Sequence, residues 1–385
     1  MSNVDPRHER LIKLVKQRYP GEAFIPLHAP IFRGNEKKYL IDCIDSTFVS
    51  SVGAYVDRFE QMMRDITGAG HAIATMNGTA ALHLALMLAG VRDGDEVITQ
   101  PLSFVATCNA ISYERAHPVF IDVDRDTLSL SPTALLGFLQ EHAERREGGT
   151  FNRSTARRIA AVVPMHTFGL PGRIEALARI CDEWGLVLVE DAAESLGATV
   201  GAQQTGRFGR VGAFSLNGNK IVTSGGGGCV VTDDPAIGAK AKRLSTTSKR
   251  LHKWDFFHDE VAFNYRLPNV NAALACAQLE QLDSFLADKR ATAAQYREFC
   301  AAEGFSFLDQ LPGTASNFWL NAIVLEDRAA RDAFLEASNA AGVMTRPVWI
   351  LMHRLPAFEG CFRGPLANAE WLEDRVVNIP SSVRP

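Results

Sequence analysis

Short apolar runs alternate with longer amphipathic segments along the chain from about residue 71. The runs are a few residues long and rich in Val, Ile and Ala: HAIATM (71–76), DEVITQ (95–100), PVFIDVD (118–124), IAAVVPMH (159–166) and LVLVEDA (186–192). Segments with helical periodicity separate them: GTAALHLALMLAG (78–90), FVATCNAISYERA (104–116) and RIEALARICDEWG (173–185). Strands and helices that alternate in this way are typical of βαβ units. The pattern therefore predicts an α/β fold with a mainly parallel sheet flanked by helices.

Two later runs, GAFSLNG (212–218) and GGCVVTDD (227–234), are joined only by a Gly-rich link. We expect them to be strands added near the edge of the sheet. Between the helical segments, EHAERREGGTFNRSTARR (141–158) is polar and basic. This composition predicts a solvated loop.

The pattern changes after about residue 250. A long helical stretch runs from near Asn269 to Glu303, with no proline or glycine before Gly304. Three shorter runs follow it and indicate a smaller α/β unit: FWLNAIVLE (318–326), RAARDAFLEASNAAG (328–342) and VMTRPVW (343–349). We therefore predict an N-terminal surface extension (1–24), a large domain (25–265) and a small C-terminal domain joined by the long helix (266–385).

Composition narrows the class of protein. The 385 residues include 40 Lys and Arg and 44 Asp and Glu, which gives a net charge of −4. The charges show no basic excess of the kind that binds nucleic acid or an anionic membrane. No apolar run is as long as a membrane span. The first residues are charged and do not resemble a secretory signal. The seven scattered cysteines predict neither a disulfide framework nor a zinc site, so we expect a cytoplasmic protein without a bound metal.

Candidate chemistry lies where the predicted strands end, because ligands of parallel α/β sheets bind beyond the carboxyl ends of the strands. The first strand runs through Asn77, Gly78 and Thr79 directly into a helix. The free amides of the first helical turn, a glycine and a hydroxyl form an anion site suited to a phosphate. The alternative is that Asn77 or Thr79 simply caps the helix.

Two charged residues add to this phosphate site. Asp191 ends an apolar strand, where it is a cap, a metal ligand or the partner of a cationic heterocycle, and no metal-binding spacing accompanies it. Lys220 lies between a predicted strand and four consecutive glycines, Gly225–Gly228, where a lysine can form a Schiff base; the alternative is a surface charge. A phosphate cradle, a carboxylate and a lysine together predict a site for pyridoxal 5′-phosphate.

The chain resembles the nucleotide-sugar aminotransferases of the DegT/DnrJ type, which have the aspartate-aminotransferase-like fold (pyridoxal phosphate fold type I). The strings that carry the resemblance span most of the chain: NGTAALHLAL, PLSFVATCNAI, PVFIDVD, EDAAESLGA, FSLNGNKIVTSGGGG and FNYRLPNVNAA. Three others resemble the branch that aminates UDP-4-keto-6-deoxy-N-acetylhexosamines for legionaminic-acid-type sugars: IDSTFVSSVGAYVDRFE, RPVWILMHRLPAF and VVNIPSS.

The resemblance implies roles for the residues already singled out. Lys220 would bind the cofactor covalently, and Asp191 would pair with its pyridinium nitrogen. Gly78, Thr79 and Ser215 would hold its phosphate. Lys220 also argues against the sugar dehydratases among the relatives, which have a histidine in its place.

Further roles are implied around the cofactor. Phe104 would stack on the ring, and His166 would lie beside it. Glu194 would lie near the ring hydroxyl, where many relatives have Gln. Asn264 would reach the phosphate in a neighbouring subunit, which implies a homodimer with shared active sites. Gly225–Gly228 reads GGGG where many relatives have GEGG, and we have no physical account of this change.

The sugar nucleotide needs groups that bind its diphosphate. KRLHKWDFFHDE (249–260) supplies Lys249, Arg250 and Lys253 with aromatic residues between them, and we expect this segment to help bind the nucleotide unless it is only a solvated loop. His353, in the MHRLP stretch, is expected to face the sugar.

The resemblance as a whole implies transfer of an amino group from L-glutamate to the C4 ketone of a nucleotide-linked 4-keto-6-deoxy sugar for surface-glycan biosynthesis. UDP-4-keto-6-deoxy-N-acetylhexosamine is the expected substrate. The alternatives are a GDP-4-keto-6-deoxymannose 4-aminotransferase of the perosamine type and an enzyme that acts on a 3-keto sugar. A regulatory module without turnover is a further alternative, but it predicts an eroded site or an added DNA-binding domain.

Overall fold

The computed structural model describes residues 5–250 and 252–384. Its strands are β1 (His71–Thr75), β2 (Glu96–Thr99), β3 (His117–Phe120), β4 (Ala143–Arg146), β5 (Gly149–Asn152), β6 (Arg158–Val163), β7 (Val187–Asp191), β8 (Thr199–Val200), β9 (Gln203–Gln204), β10 (Val211–Ser215), β11 (Gly228–Thr232), β12 (Ser306–Phe307), β13 (Thr314–Ala315), β14 (Asn321–Val324), β15 (Arg346–Pro347) and β16 (Val376–Ile379). Its α-helices are α1 (Pro6–Arg18), α2 (Glu36–Asp45), α3 (Ala54–Thr67), α4 (Gly78–Leu88), α5 (Val105–Tyr113), α6 (Pro132–His142), α7 (Ile174–Trp184), α8 (Pro235–Ser245), α9 (Asn269–Leu279), α10 (Leu282–Glu303), α11 (Arg328–Ala340) and α12 (Ala367–Glu373). Short 3-10 helices cover Thr167–Gly169 and Met352–Arg354.

The large sheet confirms the predicted α/β class. Its strand order is β1-β11-β10-β7-β6-β2-β3, and the neighbours from β10 to β3 are parallel. Separate apolar clusters cover its two faces, one including Phe59 of α3 and Cys276 of α9, the other Leu84 of α4 and Ile237 of α8. Helices therefore flank both faces, and the carboxyl ends of β6, β7 and β10 lie along one edge of the sheet.

The two later runs form strands near one edge of the sheet, as predicted. β10 lies between β7 and β11, and β11 pairs antiparallel with both β10 and β1. The edge strand itself is β1, the first predicted strand.

The segment 141–158 is not a loop: it contains β4 and β5, an antiparallel hairpin whose second strand pairs with β6. The buried polar residues Thr150 and Asn152 explain why the apolar pattern missed it. The Thr150 hydroxyl donates to the Trp184 carbonyl at 2.5 Å, and the Asn152 amide donates to Glu96 at 2.9 Å. Polar groups satisfied in this way can be buried without an apolar signature.

The C-terminal part contains the antiparallel sheet β12-β14-β16-β15. The predicted long helix is two helices, α9 and α10, which are separated at Glu280 and Gln281. The side-chain amide of Gln281 donates there to Glu36 and to the Ala277 carbonyl. In the described part of the N-terminal extension, one face of α1, with Leu11 and Val15, packs in a core shared with the C-terminal part.

The boundary at residue 265 stays a prediction. Among the described residues no helix is long and apolar enough to span a membrane. The same residues contain no group of His, Cys, Asp and Glu arranged to hold a metal ion.

Candidate active site

A cavity of about 280 Å³ opens where β7 and β10 end and α4 begins. Its walls come from both parts of the chain: Asn77, Gly78, Thr79, Leu82, Phe104, Ala106, Met165, Asp191, Ala193, Glu194, Ser215, Asn217, Asn219, Lys220, Trp319 and Trp349. The phosphate cradle, the carboxylate and the lysine predicted from three distant strings therefore lie in one cavity.

The first turn of α4 forms one end of the cavity. Asn77 caps the helix: its side-chain oxygen accepts from the Ala80 amide at 2.8 Å, and its carbonyl accepts from Ala81 at 3.1 Å. The amides of Gly78 and Thr79 precede this first intrahelical bond, so they are available to an anion. Capping and anion binding are thus compatible here, since Asn77 takes the first role and leaves two amides for the second.

Gly78 packs directly against the end of β10. A Cβ atom at this position would lie 2.7 Å from Ser215 Cβ and 2.9 Å from Ser215 Oγ. Only glycine lets α4 and β10 approach this closely. The donors brought together here are two amides and the hydroxyls of Thr79 and Ser215, a set that suits a phosphate monoester.

Asp191 lies at the floor of the cavity and is 2% exposed. One carboxylate oxygen accepts from the Thr107 hydroxyl at 2.6 Å, and the other accepts from the Ala193 amide at 3.1 Å. Burial raises the pKa of Asp191, whereas these two hydrogen bonds and the nearby positive charge of Lys220 oppose the rise. A cationic ring nitrogen at this carboxylate would stabilise its ionised form further.

Lys220 approaches the cavity from the loop after β10. Its Nζ atom lies 3.1 Å from Glu194 Oε1 and 3.9 Å from the centre of the Trp319 ring. The second oxygen of Glu194 accepts from the Phe168 amide at 2.9 Å. Burial raises the pKa of Glu194 to about 7, and the adjacent lysine opposes the rise. Lys220 is thus an amine in a mostly dry pocket, within reach of a carbonyl group bound in the cavity.

Aromatic side chains form the mouth of the cavity. Phe104 is 50% exposed there, and its ring meets Trp349 edge to face at 6.3 Å. Trp349 also packs against Phe168, at 5.3 Å between ring centres. Phe104 therefore offers an aromatic face at the mouth of the cavity, and its stacking on the cofactor ring stays a prediction.

Three of the predicted residues have side chains outside the cavity of the single chain. His166 is fully buried below it: Nε2 contacts Glu190 at 3.0 Å, and Nδ1 accepts from the Gly172 amide at 3.2 Å. His353, in the helix Met352–Arg354, is buried near Phe120, and burial lowers its pKa. Asn264 is exposed. Its predicted role concerns a neighbouring subunit and stays a prediction.

The described residues of the basic segment (249, 250 and 252–260) also lie outside this cavity, on the surface. Lys249 pairs through its backbone with His258, so the two ends of the segment lie side by side. The Arg250 side chain donates to Asp259 at 2.8 Å, and Lys253 lies over the Trp254 ring at 4.7 Å. The predicted nucleotide-binding role of Lys249, Arg250 and Lys253 therefore needs either a movement of this segment or a site formed with another chain.

Sequence reasoning missed three residues of the site. Thr107 is in the string PLSFVATCNAI, one helical turn after Phe104. Its place in that string was a signal that could have indicated a residue of the site. Trp319 and Trp349 come from the C-terminal part, where Trp349 lies in the string RPVWILMHRLPAF but was not singled out and Trp319 lies in none of the quoted family strings. Their positions depend on how that part packs against the large sheet.

The donor set fits pyridoxal phosphate. Gly78, Thr79 and Ser215 suit its phosphate, Asp191 suits its ring nitrogen and Lys220 suits its aldehyde. These five residues together offer a contact for the phosphate, the ring nitrogen and the aldehyde of that molecule.

Comparison with known proteins identifies the family of the chain. Residues 30–384 match the model of the DegT/DnrJ/EryC1/StrS aminotransferase family. The chain is 37% identical to the GDP-perosamine synthase of Vibrio cholerae over 93% of this chain and 94% of that protein. It is 36% identical to Bacillus subtilis (strain 168) EpsN, named as a pyridoxal phosphate-dependent aminotransferase, over 87% of this chain and 84% of that protein.

A solved structure gives the same result for the fold. The crystal structure of DesI in the presence of its TDP-sugar product superposes with a TM-score of 0.81 at 28% identity. The superposition covers 93% of this chain and 88% of that one. The chain therefore belongs to the DegT/DnrJ/EryC1/StrS family and is a pyridoxal phosphate-dependent sugar aminotransferase.

Proposed function

We propose that the protein transfers the amino group of L-glutamate to C4 of GDP-4-keto-6-deoxymannose. The observation that carries the transamination is the single cavity in which Lys220, Asp191 and the Gly78 cradle meet. The nucleotide and the sugar are proposed from the relatives. Besides the Vibrio cholerae protein, GDP-perosamine synthases of Escherichia coli O157:H7 and Caulobacter vibrioides are 31% and 32% identical over 93% of the chain. These relatives support the perosamine-type alternative better than the UDP-N-acetylhexosamine interpretation.

Lys220 is the proposed acid–base residue. When bound, the cofactor supplies an electron sink for the carbanion formed at the donor's α-carbon. Lys220 Nζ then removes the proton from that carbon and later delivers a proton in the second half of the reaction. Glu194, at 3.1 Å, holds the free amine in place between these steps.

Asp191 is the proposed electrostatic residue. Its carboxylate keeps the ring nitrogen protonated, and Thr107 fixes the orientation of the carboxylate through the 2.6 Å hydrogen bond. Because the site is buried, this charge interaction is much stronger than it would be in water.

The overall reaction balances without an oxidant or a metal. L-glutamate loses its amino group and its α-hydrogen, takes up an oxygen from water and leaves as 2-oxoglutarate. The sugar ketone gains the amino group and a hydrogen at the same carbon, and its oxygen leaves as water. One cavity of about 280 Å³ serves both substrates in turn, so ping-pong kinetics are expected.

The GDP part of the substrate extends beyond this cavity. We propose that Lys249, Arg250 and Lys253 bind its diphosphate in a homodimer, where the exposed segment of one chain reaches the site of the other. Asn264, at the base of the same segment, would contact the partner's cofactor phosphate. The proposed contact of His353 with the sugar would lie beyond this cavity, because the buried His353 side chain packs near Phe120 and does not line the cavity.

Purified protein is incubated with L-glutamate and each of a panel of GDP- and UDP-linked 4-keto sugars, and both 2-oxoglutarate and the amino sugar are measured. We expect turnover with GDP-4-keto-6-deoxymannose, and loss of the yellow colour of the protein when glutamate is added alone. Lys220→Ala should abolish both, whereas Lys240→Ala, at an exposed position of α8, should change neither. Turnover of UDP sugars alone would refute the proposed nucleotide, and colourless protein that takes up no cofactor would refute the transamination.

A further inference from the structure

The indole ring of Trp319 forms the wall behind Lys220. Trp319 is 4% exposed, and Lys220 Nζ lies over its ring at 3.9 Å from the centre. Glu194 faces the same amine from another direction at 3.1 Å. An ammonium group in a desolvated site is attracted both by a carboxylate and by the face of an aromatic ring.

Trp319 is itself fixed at both ends. Its indole N–H donates to the carbonyl of Asn219, the residue before Lys220, at 2.6 Å. Its own carbonyl accepts from the buried amine of Lys289 in α10 at 3.1 Å. The ring therefore contacts the side chain of Lys220 and also holds the loop from which that side chain extends.

Asn317 joins Trp319 to Glu194. The Asn317 amide nitrogen donates to the carbonyls of Glu194 at 2.8 Å and Leu196 at 2.9 Å. Its side-chain oxygen accepts from the Trp319 amide at 2.8 Å. Asn317 is completely buried, so these bonds do not compete with water. The two groups that face Lys220 thus belong to one hydrogen-bonded unit, although Glu194 follows β7 and Trp319 precedes β14.

We propose that Trp319 is a positioning residue for Lys220: its ring face and its indole N–H hold the free amine over the cavity whenever Lys220 is not bonded to the cofactor. The inference rests on the proposed role of Lys220. It assigns to the C-terminal part of the chain a direct influence on the proton-transfer step, through Trp319 and the Asn317 link.

Two substitutions separate the parts of this role. Trp319→Phe keeps an aromatic face but loses the N–H bond to Asn219. Trp319→Met keeps apolar bulk but has no aromatic face. Trp371→Met is the matched control, because Trp371 in α12 stacks on Arg125 at 4.3 Å and does not line the cavity.

Three quantities are measured: the rate at which the apoprotein takes up pyridoxal phosphate, the rate at which glutamate bleaches the holoenzyme, and the thermal unfolding midpoint. We expect Trp319→Met to slow bleaching by about 10- to 30-fold, from the loss of a desolvated cation–π contact. Trp319→Phe should slow it by about 5-fold, which corresponds to one hydrogen bond. Cofactor uptake should slow in the same order, with the KM for glutamate unchanged.

Equal rates for Trp319→Met and the wild type would overturn the proposal. So would a variant that affects only the KM for the keto sugar, because Trp319 would then be a sugar contact. If Trp319→Met does not fold, a wild-type bleaching rate in Trp319→Phe is sufficient to overturn it. Failure of the proposed function itself looks different, since the wild-type protein would then show no glutamate-dependent bleaching and Lys220→Ala would change nothing.

Discussion

Substitution of Gly78 by alanine tests whether α4 and β10 form the phosphate cradle. The added Cβ would lie 2.7 Å from Ser215 Cβ, well inside the 3.4 Å at which ordinary van der Waals contact begins. Ser215 ends β10, which pairs with β7 and β11, so the backbone on that side cannot move freely. The helix must therefore shift outward, or the Ser215 side chain must move into the space that we assign to the phosphate.

The size of the effect follows from the cost of overpacking. Inserting a methyl group into a closely packed site costs about 1–3 kcal/mol. If that cost is paid mainly when the phosphate binds, the Kd for pyridoxal phosphate should rise by about 5- to 150-fold. The rate at saturating cofactor should change little, because Lys220 and Asp191 are not displaced.

The assay is a titration of the apoprotein with pyridoxal phosphate, followed by absorbance. Pyridoxal, which lacks the phosphate, is titrated in parallel. Gly137→Ala in α6 is the control, because that glycine is exposed and its added Cβ meets nothing within 4 Å. We expect weaker binding of pyridoxal phosphate only in Gly78→Ala and no comparable loss for pyridoxal.

Two results would refute the reasoning. An unchanged Kd for pyridoxal phosphate in Gly78→Ala would mean that the phosphate does not lie against Gly78. An equal loss for pyridoxal and pyridoxal phosphate would mean that the substitution disturbs the whole cavity rather than a phosphate site.

Three further predictions follow from the charges. Asp191→Asn should lower kcat by about 100- to 1000-fold while the cofactor stays bound, as stopped-flow absorbance can check, and a kcat within a few-fold of wild type would contradict it. Because burial raises the pKa of Glu194 to about 7, its protonation stabilises the folded apoprotein at low pH, and this contribution is lost as the pH rises through about 7. Glu194→Gln should remove that loss. The free energy of unfolding, measured with urea at pH 5 and pH 8, should therefore differ less between the two pH values in Glu194→Gln than in the wild type. An identical difference would show that Glu194 does not titrate in this range. Replacing Lys249, Arg250 and Lys253 together by alanine should raise the KM for the sugar nucleotide but not for glutamate, and an unchanged sugar-nucleotide KM would exclude the segment from nucleotide binding.

The sequence predicted those strands that are buried through apolar side chains. Strands β2, β6 and β7 occur where the apolar runs predict them, because their side chains are buried on both faces of the parallel part of the sheet. The hairpin β4–β5 was missed for the opposite reason. Its inward side chains include Thr150 and Asn152, which are buried through hydrogen bonds and leave no apolar period in the sequence.

The residues of the candidate site also fall into two groups, those that local sequence rules place and those that tertiary packing places. Local rules placed Asn77, Gly78 and Asp191 at strand ends, where chain direction alone sets which edge of the sheet they occupy. His166 shows the limit of such rules. It follows β6 at the correct edge, but its ring turns down to Glu190, and only the packing below the cavity decides that orientation.

By itself the sequence determined the α/β class and placed Gly78 and Asp191 at strand ends and Lys220 before the glycine run, since each of these depends on neighbours within a few residues. Only the tertiary structure decided that these groups share one cavity, that β1 rather than β11 is the edge of the sheet, and that Trp319 stands against Lys220. The physical reason is that these contacts join residues about 100 positions apart in the chain. They are held by buried hydrogen bonds, such as those of Asn317 and Lys289, and no local sequence pattern specifies the partners of those bonds.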